Sequence, residues 1–310
     1  MRFATRYVIS ALLVYGLMGL TQAVYAAPMQ VVVTIAPLHD LTTRLLEGTD
    51  AQVTRIISRN QSPHAYHPTP TQARALRNAD AIIYVSDTLE PFVTAALQAR
   101  RDTPLSFEAV SIDSMRLLPI QHHYDTAEDE ETDPHIWLDP RNMIAFVEHL
   151  SHKLSSARPD YAPAVQINSE SIVNNLKRLD EQLESITQRL PAIEDENAIP
   201  YIAYHNALRY FETRYNIARS KAVTSMPEHP LGAKTTSEWL TFAQNHPIGC
   251  IMHESMLSQA LSERMTEASG AVEISFDPLG SHLGSDFSYE LLLGQLAGQI
   301  DACYRLAATR

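Results

Sequence analysis

The segment SIVNNLKRLDEQLESITQRL, residues 171–190, decides the fold. Its apolar residues Ile172, Leu176, Leu179, Leu183, Ile186 and Leu190 recur at alternating spacings of four and three. That rhythm puts them on one stripe of an α-helix. Asn175, Lys177, Asp180, Glu181 and Gln188 take the other face. Carried through residues 159–191, the pattern predicts a helix of roughly 30 residues, about 45 Å long. No turn signal interrupts it before Pro191, so one rigid strut is expected rather than a two-helix hairpin.

On both sides of the strut, short β-rich runs alternate with amphipathic stretches. Before it, residues 31–35, 53–57, 81–85 and 105–110 read as strands, with helices reaching residue 47, over 71–78 and near 91–99. After it, 201–204, 218–224, 248–253 and 271–276 read as strands, with helices over 207–215, 235–245, 256–268 and 286–306. Strand and helix in alternation build βαβ units on a parallel sheet. The expected fold class is therefore α/β: two lobes, each with a parallel β-sheet flanked by helices, joined by one long rigid α-helix. The lobes would span residues 27–158 and 192–310, and a chain of 310 residues suits two domains better than one.

Residues 1–26 stand apart from this core. Arg2 and Arg6 precede an apolar stretch over residues 8–20, and Val24, Tyr25 and Ala26 occupy the cleavage positions. This is the pattern of a secretory signal peptide, with an apolar run too short for a membrane span. The mature protein is expected in the periplasm, soluble, with no stable membrane insertion after cleavage. No cysteine lies near the cleavage site, so no lipid attachment is expected there. Losing Arg2 and Arg6 moves the formal net charge from −12 to −14. An acidic surface argues against nucleic acid and anionic membrane as partners and favours cations. The only cysteines are Cys250 and Cys303. A lone pair in an exported protein reads as a disulfide, here stapling the last helix to a strand.

Four short motifs carry ligand-type side chains: His64 in SPHAYHPTP, His135 in DPHIWLDP, His205 in IAYHNALRYFE and Asp277 in ISFDPLG. Each follows a run that reads as a strand, and parallel α/β sheets bind ligands beyond the carboxyl ends of their strands. Two motifs fall in each lobe, so the four groups are expected to meet between the lobes. Imidazole nitrogen with one carboxylate suits a tetrahedral zinc ion better than the oxygen-rich cages of magnesium, calcium or manganese. Imidazole must be neutral to ligate, so affinity is expected to fall below a pH of about 6.5. His67 and His253, the latter beside Glu254, are candidate auxiliary ligands. So are His122 and His123, which open the acidic run HHYDTAEDEETD at residues 122–133. That run, within a loop over 121–133, has almost nothing to bury. Trp137, Tyr204, Tyr210 and Phe211 lie beside the ligands and could shield them.

Taken in order, these motifs resemble those of the periplasmic zinc-binding proteins of zinc ABC importers, solute-binding proteins with a rigid linking helix. The resemblance spans the mature chain: IAPL, SPHAYHPTP, NADAIIYV, DPHIWLDP, the long helix, YHNALRYFE, and DPLG before a final helix. It implies that the positions of His64, His135, His205 and Asp277 bind the metal. It implies that the cysteine pair is a disulfide and that the transported ligand is a zinc ion passed to a membrane permease. Manganese-specific members tend to carry glutamate where this chain has His205, so histidine there implies zinc. The chain departs from the zinc members in reading His205-Asn206 where they often read His-Asp. The protein is expected to act as a monomer and not as an enzyme. Two alternatives stand beside this reading: a manganese or iron importer subunit, and a secreted zinc-dependent hydrolase using Glu254 as a base, for which no H-E-x-x-H signature appears.

Overall fold

Val31, Val32 and Val33 are all buried, and they form the heart of the first sheet as β1 (Gln30–Val33). In the computed structural model, residues 27–58, 61–120, 131–190, 200–224, 231–254 and 259–308 are described. The proposed signal peptide, and His122 and His123 of the acidic loop, lie outside them. β1 pairs in parallel with β2 (Gln52–Arg55) and β3 (Ala81–Tyr84), and β4 (Leu105–Glu108) extends the sheet beyond β3. The strand order is β2-β1-β3-β4. β3 is buried at all four residues, as a strand covered by helices on both faces must be, whereas edge strand β2 alternates between exposed and half-buried. The covering helices are α1 (Ala36–Leu45), α2 (Pro70–Asn78) and α3 (Pro91–Gln98), each with proline in its first turn. Thr69 and Gln72 close a reciprocal capping box at the start of α2.

Two helices link the halves. α4 (Pro140–Ala157) leads through residues 158–161 into α5 (Ala162–Thr187). The 26 residues of α5 make it about 39 Å long. It carries the predicted stripe as far as Ile186: Ile172, Leu176, Leu179 and Leu183 are buried, Ile186 packs at the margin of the core, and Leu190 does so just beyond the helix end. The strut also has a partner that its own stripe did not announce, because α4 packs along it. Near its start Asn168 donates to the Leu45 and Glu47 carbonyls, and beyond its end Arg189 binds Asp301 at 2.8 Å.

The second sheet repeats the first. β5 (Tyr201–His205) lies between β6 (Lys221–Thr224) and β7 (Cys250–His253), and β8 (Val272–Ser275) lies beyond β7, all parallel in the order β6-β5-β7-β8. Around it stand α6 (Arg209–Arg214), α7 (Ala233–Asn245), α8 (Gln259–Ser269) and α9 (Tyr289–Ala307). Cys250 of β7 is bridged to Cys303 of α9, with Cα atoms 5.1 Å apart. Gly249 makes that approach possible, since a Cβ there would stand 2.1 Å from the Cys303 carbonyl oxygen. Between the lobes, Arg44 of α1 pairs with Glu290 of α9 at 2.9 Å, and Asp40 accepts from the Tyr289 amide.

Candidate metal centre

The ligand-type nitrogens of His64, His135 and His205 all lie within 4.8 Å of one another. Their ring centroids are 4.8 to 5.7 Å apart. Each arrives by a different route. His64 rides on the loop after β2, which Tyr66 and Gln72 fasten by donating to the Ile56 carbonyl. His205 is the last residue of β5. His135 does not follow a sheet strand, contrary to expectation. Among the described residues before it, Pro119 and Thr132 form an isolated antiparallel bridge. His135 is placed instead by a 3₁₀ turn over Ile136–Leu138 that leads into α4.

Two of the imidazoles are aimed by carboxylates. Asp133 Oδ1 lies 2.8 Å from His135 Nδ1 and also accepts the His135 amide. Glu254 Oε1 lies 3.0 Å from His205 Nδ1, bringing in the residue that follows β7, the neighbour of β5. An ionised carboxylate only accepts, so each Nδ1 carries the proton and each Nε2 keeps its lone pair. His64 completes the set differently. Its Nε2 is buried with no hydrogen-bond partner, an uncommon state for a buried polar atom. Burial, reinforced by His205 and His135, lowers its pKa to about 2, so the ring stays neutral. Three neutral nitrogens held this way can ligate a metal ion. Zinc bound at about 2.05 Å would bring them to about 3.4 Å apart, which asks for side-chain shifts of no more than about 1.5 Å.

Asp277 is not in the cluster. It is buried beyond β8, and both carboxylate oxygens serve its own turn: Oδ1 accepts from the Leu279 amide at 2.8 Å and Oδ2 from the Ser281 amide at 2.7 Å. Gly280, at φ +68°, closes that turn in a conformation that side chains rarely adopt. Burial raises the Asp277 pKa, against the pull of those bonds. Nor does the structure bring in the auxiliary histidines it describes. His67 is exposed, and His253 is buried with Nδ1 3.2 Å from Glu273. Asp133 and Glu254 are the site residues that reading the sequence missed as imidazole partners. The DPH tripeptide held the signal for the first, since an aspartate two residues ahead can fold back onto the ring.

The aromatics knit the lobes around the cluster. Trp137, its ring 5.2 Å from that of His135, donates to the Pro278 carbonyl, and Tyr289 donates to the Trp137 carbonyl. Tyr210 donates to the Asp133 carbonyl and accepts from the Leu118 amide. Phe211 packs at a tilt against Tyr215 in the main core, while Tyr204 belongs to the smaller core of the second lobe. Two cavities meet at the histidines. One, of about 10 Å³, is closed by Trp137, Glu254, Pro278 and Leu279. The other, of about 240 Å³, is bounded by Thr88, Leu89, Glu131, Thr132, Asp133 and Asn206 among others.

This architecture is shared with solved two-lobed proteins. A ZnuA crystal structure superposes with a TM-score of 0.75 at 22% identity, covering 89% of this chain and 99% of that one. The periplasmic zinc-binding protein TroA of Treponema pallidum does so at 0.72 and 22%, covering 91% and 99%. Residues 31–303 match the family described as "ZnuA: Zinc-uptake complex component A periplasmic", and the chain belongs to that family. Among relatives, the high-affinity zinc uptake system protein ZnuA of Yersinia pestis is 25% identical over 304 residues, covering 90% of this chain and 92% of its own. The zinc-binding lipoprotein AdcA of Streptococcus pneumoniae is 24% identical over 260 residues. The chain spans about half the length of the AdcA relatives it matches, between 50% and 54%.

Proposed function

We propose that this protein captures zinc ions in the periplasm and delivers them to the membrane permease of an ABC importer, performing no chemistry on them. One observation carries the reading: three imidazoles from both halves converge, two oriented by carboxylates and one presenting a buried nitrogen with nothing to bond. An all-nitrogen set favours zinc over the harder oxygen-seeking cations. His64, His135 and His205 are the protein ligands. Asp277, the expected fourth, lies outside the cluster as it stands, and its carboxylate, which accepts from two amides of its own turn, keeps lone pairs that an ion could use. His67, His122, His123 and His253 are not needed for the primary site. Residues 1–26 act as the export signal, and the mature protein works as an acidic monomer without nucleic-acid partners. Membership of an uptake family and shared two-lobe architecture support this reading, and among the described residues no helix is long and apolar enough to cross a membrane.

Competition titration of the purified mature protein with zinc, manganese and iron(II) tests the proposal. Zinc should bind one equivalent most tightly, and His205→Ala should lose that binding. Manganese binding as tightly as zinc, or zinc binding unaffected by His205→Ala, would overturn it.

A further inference from the structure

β4 closes one edge of the first sheet, and a groove of about 440 Å³ lies between it and α4. Tyr84, Ser106 and Glu108 line it on the sheet side, His149 and Lys153 on the helix side. None of the residues lining it lines either cavity at the histidines. We propose that this groove binds an extended peptide segment of a partner protein, which adds to the sheet as a fifth strand and sets a carboxylate side chain against Lys153.

The open edge supplies the pairing. Leu105 donates its amide to the Asp80 carbonyl just before β3, so its main chain faces β3. Along a strand the bonding direction alternates, which turns the main-chain groups of Ser106 and Glu108 away from β3 and toward the groove. Among the described residues no strand pairs with them. Two N–H and two C=O groups spaced in this way take an extended chain by strand addition. The volume of the groove falls in the ordinary range of ligand clefts, about 300–1,000 Å³.

Tyr84 gives a second sign of a ligand. It is only 7% exposed and lines the groove, and its phenol has no hydrogen-bond partner among the described residues. Burial, with Glu108, Asp87 and Glu90 nearby, pushes its pKa up to about 12, so the phenol remains a donor. Beside those acids it suits a neutral acceptor, such as a peptide carbonyl, better than an anion.

Charge sets the polarity of the segment. Glu108 is already engaged by the Asp87 amide and the Ser111 hydroxyl, whereas Lys153 is exposed and has no ion pair among the described residues. Just beyond α4, Arg158 donates to the Ala27 carbonyl ahead of β1, so α4 runs against the strands. Asp113, just past β4, is close enough to act on the charge of His149. His149 thus stands toward Glu108, and Lys153 lies about 6 Å nearer the start of β4. Two residues of extended chain cover about the same span, 6.6 Å, and point to one face. An acid at one position, with a neutral or basic residue two places along, matches the groove.

Fluorescence anisotropy of the mature protein with the labelled, end-blocked peptide Thr-Val-Glu-Val-Lys-Val-Thr tests the proposal. The peptide should bind saturably, and replacing its glutamate by lysine or N-methylating its backbone should weaken binding at least fivefold. Lys153→Glu should do the same, as should Ser106→Pro, which removes an outward N–H that the sheet does not use. Tyr84→Phe should weaken binding at least twofold. Zinc affinity should stay unchanged in all three variants, which reports an intact fold. Amide NMR shifts caused by the peptide should map to residues 105–108 and 149–153. The proposal is overturned by the absence of saturable binding, by equal binding of the lysine or N-methylated peptide, by indifference to Lys153→Glu and Ser106→Pro, or by shifts that map elsewhere. Self-association of the protein that Ser106→Pro abolishes would give the edge to a second copy of this chain and overturn it too.

Discussion

Replacing Glu254 by glutamine isolates the contribution of one carboxylate that never touches the metal. Glu254 Oε1 stands 3.0 Å from His205 Nδ1. Across the ring and one metal–nitrogen bond, its charge lies about 7 Å from a bound zinc ion. A unit negative charge at that distance attracts a doubly charged ion by about 1 kcal/mol in water and about 5 kcal/mol at the effective dielectric of a protein near its surface. Glutamine keeps the shape and a neutral hydrogen bond, so part of the orientation survives. The expected loss is ten- to a hundredfold in zinc affinity, or about 1.4–2.8 kcal/mol, the usual range for partners behind a metal ligand. A chromophoric chelator competing for zinc at fixed pH reads this directly. The metal-free protein supplies the control, because Glu254 is buried and removing a buried charge should leave the apo melting temperature unchanged or raised. Zinc affinity within twofold of the parent, with the fold intact, would show that the carboxylate does not act through His205.

Other outcomes follow from the same geometry. Zinc at a thousandfold excess over its dissociation constant should stabilise the protein by about 4 kcal/mol, a rise in melting temperature on the order of 10 °C. Calorimetry should see that rise reversed by a chelator and mostly lost in His135→Ala. Asp277→Asn, which weakens the turn at Leu279 and Ser281, should lower apo stability by about 1–2 kcal/mol and change zinc affinity by less than threefold in the same chelator competition. A tenfold loss would make Asp277 a ligand after all. Burial raises the Glu90 pKa from 4.5 to about 7, against the pull of the Val85 and Ser86 amides that donate to its carboxylate. The folded state therefore holds this proton more tightly than the unfolded one. Stability should fall as pH rises above 4.5, with the loss complete past about 7 and amounting to at most about 3 kcal/mol. Urea unfolding of Glu90→Gln across that window should lack this component. Deleting residues 122–130 should preserve most of the zinc-dependent rise in melting temperature.

Much of the architecture was legible because periodicity is a local property. The stripe from Ile172 to Leu190 announces α5, and buried runs such as Val31–Val33 and Ala81–Tyr84 announce central parallel strands. His64 and His205 were readable from their places after strands. His135 reached the cluster by another route, a 3₁₀ turn that hydrophobic alternation does not foretell. The pairing of Glu254 with His205 depends on β7 lying beside β5. Strand order is a tertiary fact that one sequence does not carry. Asp277 also follows a strand, but that position alone does not foretell the two amides of its own turn that its carboxylate accepts from.

The Tyr210 phenol reaches from the second half of the molecule to both margins of the acidic insertion, touching Leu118 on one side and Asp133 on the other. A single ring thus clasps those two margins together, and Asp133 is also the residue that steers His135. The orientation of one imidazole is therefore set in part by a phenol of the opposite half, so a change confined to the second half can reach a side chain of the first without touching it.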